Sequence, residues 1–195
     1  MSNLISHLKR LIPVAEAHCD TTDGPAVTDG RRALETGNLN HALKWIPASG
    51  EPEVRAVFEL GQRVRTLSPE AGVIADRLFL ETLVRVHRMA EGVGFTGIAP
   101  TGAHIEPVVV AADRALDTGD PEPLRALVPA GRRDELVRRF EVARTKRGFD
   151  PNDVAAGRDF VAAYVSYFKY AEGEDHDHGH RDAHHDHGNQ HVHAH

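Results

Sequence analysis

The sequence predicts an all-α protein built as a helical bundle, and two features of the chain lead to this expectation. Beyond Asp23, segments rich in Ala, Leu, Arg and Glu carry apolar residues at helical spacing, and glycines and prolines separate these segments. None of the segments alternates polar and apolar residues with the period of two that is typical of a half-buried strand. The second feature is an internal repeat of about 80 residues, which doubles one set of helices.

The repeat emerges when the chain is aligned with itself at an offset of 82 residues. The matched positions include prolines and glycines at helix boundaries, which indicates a duplication and not merely a shared composition. We expect repeat one over 18–92, a linker over 93–104 and repeat two over 105–174, packed into one bundle about a pseudo-twofold axis. The matches are Pro25 with Pro107, Arg32-Ala33-Leu34 with Arg114-Ala115-Leu116, Thr36-Gly37 with Thr118-Gly119, Pro47 with Pro129 and, at an offset of 81, Ala90-Glu91-Gly92 with Ala171-Glu172-Gly173.

Each helix of the first repeat has a local reason to begin or end. Gly37 and Gly92 follow the first and last helices, and a glycine that adopts a positive φ commonly ends a helix. Ser68 precedes Pro69, which places a capping side chain before a proline at the first helical position. The predicted helices lie near 25–36, 39–46, 51–67 and 70–91.

Composition excludes several classes of protein. The 195 residues carry a formal net charge of -6, and no stretch combines a basic face with interleaved aromatic residues, so we expect no nucleic-acid partner. The chain has no uninterrupted apolar run of the roughly 18 residues that a membrane span needs, so we expect no membrane partner. The single cysteine excludes an intramolecular disulfide and fits a reducing, cytoplasmic location. The oligomeric state stays open, a homo-oligomer included.

The two ends of the chain differ from the rest. Residues 1–17 combine basic, apolar and small residues, and we interpret them as an amphipathic helix, with a removable leader as the alternative. Residues 175–195 form a histidine-rich tail that cannot build a core, so we expect it to be disordered and to bind transition metals; a pH-sensitive solubilising tail is the alternative. Its histidines are His176, His178, His180, His184, His185, His187, His191, His193 and His195.

The stretch from His18 to Asp23 concentrates imidazole, thiol and carboxylate groups at the start of the first repeat. Thiolate together with imidazole favours a transition metal over calcium or magnesium, so we predict a metal-binding hook with His18, Cys19, Asp20 and Asp23 as ligands. Because its neighbours are polar, we expect Cys19 to lie outside deeply apolar surroundings, where a thiolate can form. A nucleophilic Cys19 with His87 as its base is the competing chemistry.

The fourth predicted helix supplies a second group of candidates. At about 100° per residue, Asp76, His87 and Glu91 fall on its apolar side, and the last two can reach one point. Glu81 lies to one side, where we expect an i, i+4 ion pair with Arg85. We add His87 and Glu91 to the metal ligands and keep Asp76 and Glu81 as secondary candidates. A structural hydrogen-bond network is the alternative.

The repeat separates shared scaffold from candidate chemistry. His18, Cys19, Asp20 and Asp23 match Pro100, Thr101, Gly102 and Ile105, and His87 matches Phe168. The predicted chemistry is therefore concentrated in the first repeat. Two further histidines are secondary candidates: His41, four residues before Trp45, and His104 in the linker.

Two resemblances extend this interpretation. The chain resembles a family of uncharacterised prokaryotic proteins, and this resemblance brings no known activity with it. The stretches that carry it are His18-Cys19-Asp20-Thr21 with Asp23-Gly24-Pro25, Ala33-Leu34-Glu35-Thr36-Gly37-Asn38, Glu81-Thr82-Leu83-Val84-Arg85-Val86-His87-Arg88 and Ala90-Glu91-Gly92. Ala17-His18-Cys19-Asp20 followed by Asp23-Gly24 resembles the nickel hook of nickel superoxide dismutase, a small four-helix-bundle enzyme made with a removable leader. That second resemblance implies His18 and Cys19 as nickel ligands, with cleavage after Ala17 freeing an amine. The hook differs at Asp23, where the enzyme has its second thiolate.

Three functions follow from these observations. We favour a transition-metal binding protein, with nickel as the first choice of ion and zinc as the second, in which the tail buffers metal. The second hypothesis is a nickel superoxide dismutase-like oxidoreductase. The third is a helical interaction module without a metal.

Overall fold

The protein is all-α, as the sequence predicts. The computed structural model describes residues 19–101 and 105–173, and these ranges contain eight α-helices, two short 3₁₀ turns and no strand beyond an isolated parallel bridge between Thr21 and Ala99. The first half holds α1 (Pro25–Thr36), α2 (Asn40–Leu43), a 3₁₀ turn (Ala48–Gly50), α3 (Glu51–Val64) and α4 (Pro69–Ala90). The second half holds α5 (Pro107–Thr118), α6 (Glu122–Leu127), a 3₁₀ turn (Ala130–Arg132), α7 (Arg133–Lys146) and α8 (Val154–Glu172).

The two halves present the same elements in the same order. Arg65 donates from Nη1 to the carbonyl oxygen of Leu34 at 2.6 Å, and Arg147 donates to the carbonyl oxygen of Leu116 in the matching place. The glycine that ends α1 has a φ of 71° and the glycine that ends α5 a φ of 76°. A duplicated chain would show these correspondences, and the duplication itself stays a prediction.

Two buried clusters form the interior. In the first half, α1 and α3 pack on α4 around side chains such as Phe79 and Leu83. In the second half, α5 and α7 pack on α8 around Phe140 and Tyr167. The second cluster also contains three residues of the first half, which are Cys19, Ala26 and Trp45. The halves therefore share apolar surface near the start of the described chain, and this junction positions the candidate site.

Polar contacts cross the same junction. Arg158 of α8 donates from Nε to the carbonyl oxygen of Ile46 at 2.9 Å. The side-chain oxygen of Asn152 accepts from Asn38 at 3.1 Å and from Asn40 at 3.3 Å. These bonds fix α8 against the segment around α2, which carries Trp45.

Local signals predicted most helix ends, but not all. α1 covers the predicted range, and α4 begins after Ser68, whose Oγ accepts from the amide of Ala71 at 3.1 Å. α2 is shorter than predicted, and α3 ends at Val64 because the next three residues form a turn ahead of the cap of α4. Within the two described ranges, no helix is long and apolar enough to cross a bilayer.

Candidate functional site

A buried group of one imidazole and two carboxylates lies beside the C-terminal end of α4. We call it the acid–imidazole cluster, and it consists of Asp20, His87 and Glu91. His87 Nε2 lies 4.0 Å from Asp20 Oδ1 and 3.9 Å from Glu91 Oε1. Asp20 is 2% exposed and His87 is 4% exposed, whereas the Glu91 side chain keeps 22% of its surface. The structure thus brings together three of the six residues that the sequence singles out as metal ligands.

The backbone on both sides of the cluster is held in place by hydrogen bonds. After α4, Gly92 adopts a φ of 76°, and the amides of Gly92 and Val93 donate to the carbonyl oxygens of Met89 and Arg88 at 3.1 and 3.0 Å. This arrangement ends the helix in a Schellman motif and turns the chain back. The returning segment then pairs with the hook, because the amide of Ala99 donates to the carbonyl oxygen of Asp20 at 3.2 Å.

The imidazole of His87 is fixed in one tautomer. Its Nδ1 lies 2.8 Å from the main-chain oxygen of Trp45, which can only accept, so Nδ1 carries the proton. In the neutral ring, Nε2 then has a free lone pair that faces the two carboxylates. A histidine that donates one ring N–H to a carbonyl and presents the other nitrogen has the arrangement usual for a metal ligand.

Arg88 is the member of this region that sequence reasoning missed. It is 4% exposed, its Nε donates to the carbonyl oxygen of Gly94 at 2.9 Å, and its Nη1 pairs with Asp20 Oδ2. Burial raises the pKa of the Asp20 carboxyl, although Arg88 and His87 act in the opposite direction. Only the need of a buried carboxylate for a countercharge could have pointed to Arg88 from the sequence.

Three buried atoms of the acid–imidazole cluster have no hydrogen-bond partner: Asp20 Oδ1, His87 Nε2 and Glu91 Oε2. As placed, the residues of 19–101 and 105–173 contain no group of three or more His, Cys, Asp or Glu side chains that could hold a metal ion. Ligand atoms at about 2.1 Å from a tetrahedral ion would lie roughly 3.4 Å apart, so the two separations from His87 Nε2 are about half an ångström too wide.

Cys19 lies in surroundings that differ from our expectation. It is 3% exposed and belongs to the same buried cluster as Trp45 and Tyr164, so the expectation that it avoids apolar surroundings was wrong. Desolvation by this burial, followed by the charges of Glu91, Asp20 and Asp113, raises the thiol pKa well above 9.0. Cys19 and Asp20 lie in a turn, and Cys19 belongs to the buried cluster of the second half whereas Asp20 pairs with Arg88 of α4.

The thiol of Cys19 is therefore expected to resist modification in the folded chain. We predict that it reacts with an aromatic disulfide reagent at least about a hundredfold more slowly in the native protein than in urea, because it is both shielded and protonated. Absorbance of the released thiolate measures both rates on the same sample. Equal rates would show that the side chain is accessible and would contradict its placement.

The remaining sequence candidates lie elsewhere. Asp76 pairs with Arg65 at 3.0 Å near the start of α4, about 16 Å along the helix from His87, so it cannot join the cluster. Glu81 accepts from Arg77 at 2.8 Å and not from Arg85, which pairs with Glu53. Asp23 and His41 line a separate cleft, and Asp23 is exposed there. His18, His104 and the nine tail histidines lie outside the described residues.

That cleft has a volume of about 540 Å³ and lies between the halves. Trp45 contacts both the acid–imidazole cluster and the cleft. Its carbonyl oxygen accepts from His87 Nδ1, and its indole Nε1 donates to Asp29 at 2.8 Å in the cleft wall. No local pattern of the sequence predicts this cleft, because its walls come from both halves of the chain.

Comparisons with known proteins give the family of the chain. No curated protein matches it, and no solved structure matches it. The model of one family, described as a family of unknown function (DUF6448), matches residues 23–170, a range that includes His87 and Glu91 and begins after Asp20. The chain therefore belongs to the DUF6448 family.

Proposed function

We propose that the chain is a transition-metal binding protein and that the acid–imidazole cluster is the centre of its site. The observation that carries this proposal has two parts. Asp20 Oδ1 and Glu91 Oε1 lie 4.0 and 3.9 Å from His87 Nε2, and three buried atoms of the cluster, Asp20 Oδ1, His87 Nε2 and Glu91 Oε2, have no hydrogen-bond partner. Leaving such atoms unpaired costs about 1–3 kcal/mol each, and a cation between them would remove that cost.

Charge supports a cation over a purely structural network. The cluster places two carboxylates beside one imidazole, and the only cation paired with either of them within the described residues is Arg88, on Asp20 Oδ2. In the neutral ring the single N–H of His87 is donated to Trp45, so Nε2 has no hydrogen to donate to either carboxylate. A divalent ion would use the lone pair on Nε2 and would compensate the burial of Asp20.

The identity of the metal depends on whether the hook joins the cluster. Imidazole with two carboxylates suits zinc, and a thiolate from Cys19 together with an amine or imidazole from His18 would favour nickel. Because the Cys19 pKa is raised by burial, ligation by its sulfur must release a proton, and that contribution grows as the pH rises. We keep nickel as the first choice and zinc as the second, with the histidine tail as a store that gathers the ion.

Metal content after equilibrium dialysis tests the site in the full-length chain. We expect the substitution His87→Gln to lose one tightly bound equivalent of nickel or zinc relative to the unaltered protein. His41→Gln is the matched control, because it removes a buried histidine of the same half outside the cluster. The tail contributes equally to all three samples, so only the difference is interpreted. Unchanged metal content in H87Q, or an equal loss in H41Q, would refute the site.

A further inference from the structure

We infer that the cleft between the two halves binds a small aromatic carboxylate, with its carboxylate at Arg32 and His41 and its ring against the aromatic wall. This site is separate from the acid–imidazole cluster, and the inference does not depend on a bound metal. Its volume of about 540 Å³ falls within the roughly 300–1,000 Å³ of most small-molecule sites.

The wall of the cleft is a continuous run of aromatic rings. Phe149 and Phe160 have ring centroids 5.7 Å apart, Phe160 and Tyr164 are stacked at 6.1 Å, and Trp45 meets Tyr164 edge-on at 6.3 Å. All four rings line the cleft. A wall of this kind favours a flat apolar body, because aromatic pairs add about 0.5–1.5 kcal/mol beyond the area that they bury.

Most of the charged side chains in the cleft already have partners. Ion pairing neutralises two of its three basic residues, and a phenol donates to one of its acids. The contacts are Lys44 with Asp29 at 2.9 Å, Arg147 with Asp117 at 2.6 Å, and Tyr164 Oη to Asp113 at 2.8 Å. These pairs give the cleft its shape but leave little net charge for a ligand to meet at those positions.

Arg32 is the exception among the basic residues. Its guanidinium has no hydrogen bond or ion pair with any residue of 19–101 or 105–173, and burial, followed by the charge of Arg32, lowers the pKa of the His41 imidazole. His41 is 9% exposed and its ring likewise has no partner within these ranges. Asp23 precedes α1 and forms no ion pair with Arg32. Arg32 and His41 therefore both line the cleft with donor groups that no described side chain occupies.

The chemistry of these donors selects a carboxylate. A guanidinium presents two parallel N–H groups that match the two oxygens of a carboxylate, and a neutral imidazole adds one more donor. A phosphate dianion would bring a second negative charge toward Asp113 and Asp117, which both line the cleft. A singly charged anion with a flat ring fits both the donors and the wall.

Calorimetry on the full-length chain tests this inference with benzoate, cyclohexanecarboxylate and benzylamine. We expect saturable one-to-one binding of benzoate, weaker binding of the cyclohexane acid and no binding of the amine. Since Trp45 is the single tryptophan, benzoate should also change the intrinsic fluorescence. R32Q should weaken benzoate binding at least tenfold, and H41Q should weaken it severalfold. R114Q is the matched control, because Arg114 is the exposed counterpart of Arg32 in the second half and should leave binding unchanged.

Three results would overturn the inference. One is the absence of saturable benzoate binding to a folded chain. Another is the same affinity in R32Q as in R114Q, since both variants change an exposed arginine on the helix that opens a half. The third is benzylamine binding as tightly as benzoate, which would assign the cleft to organic cations attracted by Asp23.

Discussion

Replacing Arg88 by methionine is expected to lower the free energy of unfolding of the metal-free chain by about 3–5 kcal/mol. The Arg88 guanidinium is the charged partner of Asp20, which is 2% exposed, and the other carboxylate oxygen of Asp20 has no partner. Methionine fills a similar volume but leaves a buried carboxylate without its countercharge. Urea unfolding followed by circular dichroism measures the change.

Two controls separate this effect from the loss of any arginine. R85M removes the neighbouring arginine, whose pair with Glu53 is partly exposed, and should cost at most about 1 kcal/mol. D20N combined with R88M should recover much of the loss, because no buried charge then remains. If R88M unfolds at the same urea concentration as R85M, the buried pair does not stabilise the fold.

The decrease in the free energy of unfolding caused by R88M should also depend on pH in a defined direction. Burial holds the pKa of folded Asp20 above its ordinary value of 3.8, and removal of Arg88 raises that pKa further. A carboxyl whose pKa is higher folded than unfolded stabilises the fold below the unfolded pKa, and this contribution disappears as the pH rises through the folded pKa. The deficit of R88M should therefore be smallest near pH 4 and grow toward neutrality.

The fold was largely predictable because its signals are local. Gly37, Gly92 and the Ser68-Pro69 pair mark helix boundaries through their own backbone and capping chemistry, and the structure has helix ends at these positions. α2 was predicted too long because the residues before Pro47 are good helix formers in isolation. The carbonyl oxygens of Leu43 and Ile46 instead accept from Arg158 of α8, a contact that no local pattern contains.

The site was predictable only in part. Helical periodicity shows which face of a helix a residue occupies, but it does not show which residues of other elements pack against that face. Spacing of four placed His87 and Glu91 together, and the polar hook suggested Asp20 beside them. Neither pattern shows that Cys19 turns away into the core of the second half, or that a main-chain oxygen of Trp45 orients His87. Those contacts depend on how two halves pack, and packing is a property of the whole chain.

Nickel or zinc at about one hundred times its dissociation constant is expected to raise the melting temperature of the full-length chain by roughly 5–11 °C. Selective binding to the folded state at that ratio contributes about 2.7 kcal/mol, and a chain of this size gains about 2–4 °C per kcal/mol. The acid–imidazole cluster exists only when Asp20, His87 and Glu91 are brought together by folding. Metal that binds the tail with equal affinity in folded and unfolded chains leaves the melting temperature unchanged, so differential scanning calorimetry isolates the folded site.

The decisive comparison is between two glutamates on the same stretch of chain. E91Q keeps the shape of a cluster residue while removing its charge, and we expect it to abolish most of the metal-dependent rise. E81Q removes the same charge from a side chain that pairs with Arg77 away from the cluster, and the rise should persist. Calcium should produce no rise, because it requires six to eight oxygen ligands. An equal rise in E91Q and E81Q would place the stabilising ion elsewhere in the folded chain, and the acid–imidazole cluster would then be a structural network.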